Sequence, residues 1–107
     1  MASYNKLVRD KIPEIIKSNG ENPIISILTD EEYKAELEKK LLEEYNEVIK
    51  AKESEERIEE LADMLEVINS LAKLEDKSLE DVTEIANKKK EKRGGFDKKI
   101  FLEEVLS

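Results

Sequence analysis

The chain has no cysteine, no histidine and no tryptophan. Without cysteine there is no disulfide, no thiolate nucleophile and no zinc–thiolate centre. Without histidine the commonest general base and metal ligand is missing. There is no phosphate-binding glycine loop, no serine nucleophile motif, no internal repeat and no low-complexity linker. Aromatic residues number five, so the core must be built from Leu, Ile and Val. No apolar run approaches the ~20 residues of a membrane span, and the first residues lack an apolar signal core. The expected compartment is therefore the cytoplasm. Positive charge is also short: 19 Lys and Arg stand against 27 Asp and Glu, a net charge of −8. That balance disfavours nucleic-acid polymers and anionic membranes as partners. Any catalysis must run on carboxylates, Lys, Arg, Tyr, hydroxyls and a bound metal. At 107 residues the chain suits one domain, 1–107. A domain of this size buries only a little over ~60% of its unfolded surface, so a second copy would help it.

What the chain has in abundance is carboxylate. Glu44 and Glu47 stand three apart, and so do Glu60 and Asp63, with twelve residues between the pairs. Residues three apart on a helix are neighbours, with Cβ atoms roughly 5–6 Å from each other. If the residues between them form a hairpin, the two pairs face one another. Carboxylates gathered in one small volume repel unless a cation sits among them. Oxygen-only ligands select a hard cation, magnesium before calcium or manganese. In a chain that is 43% charged, a solvated acidic face is the competing account. Helical periodicity separates the two. At about 100° per residue, Glu44 falls within the apolar stripe of Tyr33, Leu37, Leu41 and Val48. Glu60 and Asp63 fall beside Met64, Val67, Leu71 and Leu74 in the same way. A carboxylate on a buried face costs several kcal/mol without a partner. A metal is the simplest partner, and Lys or Arg from another helix is the next.

Read in order, the chain predicts a short helix from about Asp10 to Ser18, with Pro13 in its first turn and Asn19-Gly20 as its stop. Ile24 to Leu28 is short and rich in β-branched residues, which suggests an extended segment or small strand. Thr29 and Glu32 make a capping-box pattern for a helix reaching about Lys52. Ser54 is expected to cap a second long helix, ending near Leu74. That helix has a second apolar side, Ile58, Leu61, Leu65, Ile68 and Ala72, which places it centrally or against another subunit. Ser78 caps a last helix from about Leu79 to Arg93, closed by Gly94-Gly95. Lys89, Lys90 and Arg93 extend the stripe of Leu79, Val82 and Ala86, and Asn87 flanks it. Basic residues in a last turn also suit the helix dipole. Ile100 to Leu102 could pair with Ile24–Leu28 or form a final turn. The expected fold class is all-α, a helical bundle with a short β element, completed by dimerisation.

Glu43-Glu44-x-x-Glu47 followed by Glu60-x-x-Asp63 resembles the metal motif of the MazG-like, all-α NTP pyrophosphatases. The stretch containing Asn87, Lys90 and Arg93 resembles their phosphate-contacting segment. Lys6-Leu7-Val8-Arg9-Asp10-Lys11-Ile12-Pro13 and Arg93-Gly94-Gly95-Phe96 resemble a small stand-alone branch, phosphoribosyl-ATP pyrophosphohydrolase-like and described as house-cleaning. The resemblance implies a homodimer or other homo-oligomer. It implies Mg2+, with Mn2+ as a substitute, on Glu44, Glu47, Glu60 and Asp63. It implies hydrolysis of a nucleoside triphosphate to NMP and pyrophosphate. Glu43 or Glu47 would then orient or deprotonate the attacking water, and Asn87, Lys90 and Arg93 would bind the substrate phosphates. It assigns no role to Arg9 or Lys11. The alternative is a non-catalytic helical module that binds nucleotide or another protein.

Overall fold

The computed structural model describes residues 5–107. It contains four helices: α1 (Ile12–Ser18), α2 (Asp30–Lys50), α3 (Ser54–Leu74) and α4 (Leu79–Arg93). The protein is all-α, and no strand forms among the described residues. Ile24 to Leu28 runs without regular structure, and Ile24 and Ile27 are 95% and 91% exposed. The expected β element is thus not seen. A strand needs a partner for its backbone groups, and Ile100–Leu102, equally irregular and exposed, does not supply one.

The centre of the fold is the α2–α3 hairpin. Thr29 opens α2 with a reciprocal cap: its hydroxyl accepts from the Glu32 amide, and its own amide donates to the Glu32 carboxylate. The two helices are joined by Ala51, Lys52 and Glu53, too short a link for anything but antiparallel neighbours. Ala51 is buried, and the Arg57 guanidinium donates to its carbonyl at 3.1 Å, tying the turn to the first turn of α3. Ser54 is the first residue of α3 rather than its cap; Glu53 occupies that position without a side-chain hydrogen bond. Leu37 of α2 and Val67 and Ala72 of α3 are buried between the helices. The predicted stripes therefore do meet, with Tyr33, Leu41, Val48, Met64 and Leu71 half-buried around them.

α3 is followed by a tight turn in which Asp76 takes a left-handed φ of 58°. Ser78 and Asp81 then cap α4 reciprocally, as Thr29 and Glu32 cap α2. α4 rests on α3 alone, through its first residues; from Glu80 to Arg93 every side chain is exposed. α1 begins after Lys11, two residues later than expected, and ends at Ser18, just before Gly20 turns the chain with φ 85°. It packs on no other helix.

The result is elongated. The radius of gyration is 18.4 Å, against about 13 Å for a compact chain of this length. Large apolar side chains stay in water along the outer faces of the hairpin: Leu42, Tyr45 and Ile49 on α2, and Ile58, Leu61 and Leu65 on α3. The second apolar side of α3 is therefore mostly uncovered within one copy. Among the described residues no helix is long and apolar enough to cross a membrane.

Candidate functional site

The hairpin brings three of the four acids together on its inner face, nearer the link than the far ends of the helices. Glu44 on α2 and Glu60 and Asp63 on α3 each place one carboxylate oxygen within 4.8 Å of the other two. Glu44 is the most enclosed, with 8% of its surface exposed, while Glu60 and Asp63 are half-buried. Glu44 owes its position to helical register. It lies two turns beyond Leu37, on the face that meets α3.

Glu47 stands one turn further along α2, exposed, and is not part of the converging triad. It is near enough that its charge adds to the repulsion felt by both Glu44 and Glu60. Glu43 is not part of the triad either: it lies 3.5 Å from the Lys40 ammonium, which is also 3.8 Å from Glu44. The longer distance is beyond a hydrogen bond, so Lys40 only partly compensates Glu44. The i,i+4 spacing from Lys40 to Glu44 was the sequence signal for this contact.

The electrostatics follow from the crowding. Burial raises the pKa of Glu44; Lys40 opposes the shift, and Asp63, Glu43 and Glu47 add to it. Glu60 is raised too, first by partial desolvation and then by Asp63, Glu44, Glu47 and Glu56. Both carboxylates hold their negative charge at a cost that a cation would remove. Ligand oxygens on one magnesium ion at ~2.1 Å stand ~3 Å apart when adjacent and ~4.2 Å apart when opposed, so the three carboxylates, within 4.8 Å of one another, would draw closer around an ion.

The basic segment of α4 is elsewhere. Arg93 lines a shallow depression with Ile85, Lys88, Lys89, Glu91 and Lys92, and Asn87 lines another with Leu79, Glu80, Thr83 and Glu84. Neither depression includes an acid of the triad. Lys90 is exposed, its side chain lying over Gly95. Asn87, Lys90 and Arg93, the phosphate-binding residues that the resemblance implies, thus line no depression shared with the triad within one chain. α4 packs sparsely on α3 and not at all on α2.

A second cation, Arg9, reaches the triad from outside the hairpin. Its guanidinium donates to the Asp63 carboxylate at 2.9 Å. The two residues are 54 positions apart, on an irregular segment and a helix, and no periodicity could have linked them.

Helical hairpin and partly buried carboxylate triad together define the class: an all-α protein with a candidate centre for a hard cation. No family model and no solved structure matches the chain. It is 51% identical over 43 residues to an uncharacterized protein of Mycolicibacterium smegmatis, a match covering 40% of this chain and 44% of that protein.

Proposed function

We propose that the chain is a magnesium-dependent nucleoside triphosphate pyrophosphohydrolase that releases NMP and pyrophosphate, with clearance of noncanonical nucleotides as its role. The observation that carries this reading is the convergence of Glu44, Glu60 and Asp63 across two helices. Those three would hold the cation, and Glu47 would join them after a rotamer change. When bound, the cation neutralises charge on the phosphate oxygens. Glu43 is engaged by Lys40, whereas Glu47 has no ion pair among the described residues. Glu47 is therefore the better placed to orient a water and take its proton. Incubating the purified protein with a nucleotide panel and magnesium should give pyrophosphate, and not orthophosphate, from at least one triphosphate. Orthophosphate alone would indicate another reaction class. No release across the panel would favour the non-catalytic binding module.

The active unit in this reading is a homodimer. Leu42, Tyr45 and Ile49 form one exposed apolar stripe and Ile58, Leu61 and Leu65 another, each at helical spacing. A second copy laid on these faces would complete the bundle. Leu65→Glu should convert the oligomer to monomer by light scattering and lower the melting temperature. A monomeric wild type would remove this part of the proposal.

A further inference from the structure

Arg9 has a position that fold stability does not explain. Its ion pair with Asp63 is open to water, with the two side chains 60% and 45% exposed. Pairs this exposed contribute little to stability. Yet this contact anchors the stretch before α1, a helix that packs on no other, at the acidic triad.

The charge on the site gives the contact a purpose. Glu44, Glu47, Glu60 and Asp63 together carry four negative charges, and one divalent cation leaves two. A polyphosphate would still approach a negative surface. Lys40 lies along α2 between Glu43 and Glu44. The basic residues of α4 line separate depressions. Arg9 is a further cation at the triad, and it is more exposed than Lys40. A guanidinium offers five N–H donors in a planar fork that matches a phosphate.

We propose that Arg9 is the phosphate anchor of this site, pairing with Asp63 in the metal-free protein and moving to a phosphate oxygen of the bound nucleotide. The proposal rests on the metal-site reading above. It assigns to the segment before α1 the role that the sequence suggested for α4.

Calorimetric titration separates the two readings. Magnesium is titrated alone, then inorganic pyrophosphate in the presence of magnesium. The proteins are wild type, Arg9→Ala, Arg9→Lys and Lys17→Ala, the last an equal charge change on α1. Removing a positive charge beside the triad should tighten magnesium about threefold in Arg9→Ala. Pyrophosphate should weaken about tenfold or more in the same variant. Arg9→Lys should fall between, because an ammonium keeps the charge and loses the fork. Lys17→Ala should match wild type. Opposite signs for the two ligands are the signature of an anchor. If Arg9→Ala weakened both ligands together, Arg9 would be a structural prop; if pyrophosphate affinity stayed unchanged, it would not touch phosphate. Either result overturns the proposal and leaves the metal site standing. A wild type that takes up no magnesium overturns both.

Discussion

Glu44→Gln and Glu60→Gln should abolish magnesium-dependent hydrolysis while leaving the metal-free fold as stable as wild type or more so. The loss of activity should be on the order of 100-fold or greater, since even residues behind metal ligands cost 10–100-fold. The unusual half of the expectation is the stability. Each substitution keeps the shape of the side chain and removes one charge from a group whose ionised form is disfavoured by burial and neighbouring acids. The sign with pH follows. Because the folded-state pKa of Glu44 is raised, the folded protein holds that proton more tightly than the unfolded chain. The stability this group contributes is present below the ordinary carboxylate pKa and is lost as pH rises through the raised value. Glu44→Gln should flatten that part of the profile. Magnesium should raise the melting temperature of wild type beyond an equal ionic strength of sodium, and the excess should shrink in both variants. If Glu44 were instead a structural partner of Lys40, its neutralisation would destabilise the metal-free protein, by about 3–5 kcal/mol for a buried pair. Thermal melts of the three proteins with and without magnesium decide between these outcomes.

Leu37→Ala should have the largest effect on the fold. Leu37 is 3% exposed, the most enclosed large side chain of the core, facing α3 within the hairpin. Leu→Ala substitutions in such positions cost roughly 2–5 kcal/mol, depending on how far the cavity collapses. For a chain of this size that is roughly 8–40 °C of melting temperature. Few other residues can compensate: the buried apolar set adds only Ala51, Val67 and Ala72 among the described residues. A substitution of similar size on an outer face, Ile24→Ala, should change the melt little, since Ile24 is 95% exposed. Equal shifts from both would place the stabilising core somewhere other than the hairpin.

The parts legible in the sequence are those written in local periodicity. The α2 and α3 stripes, the capping box at Thr29, the cap at Ser78 and the stop at Gly94 depend on residues within one or two turns, and the helices follow them closely. The convergence of Glu44 with Glu60 and Asp63 was legible for the same reason, because a short link forces the two stripes to face each other. The direction of α4 was not. Its apolar stripe of Leu79, Val82 and Ala86 thins into lysines, and a weak stripe does not determine how long a helix stays on its neighbour. Nor was the strand legible as absent: Ile24 to Leu28 has the composition, but pairing is a property of two segments. Arg9 was unreadable because its partner lies at the far end of the longest sequence separation in the site.

The three-residue link at Ala51 has a further consequence, for the order in which the protein assembles. Glu44, Glu60 and Asp63 are joined by contacts of low sequence separation, and closing a short loop between two helices costs little chain entropy. Contacts of that kind form early and fast. The acidic triad thus belongs to the portion of the chain that organises first, while the Arg9 contact must wait for a much larger loop to close. Repulsion among the three acids would then be felt during collapse itself, before the arginine arrives to relieve it.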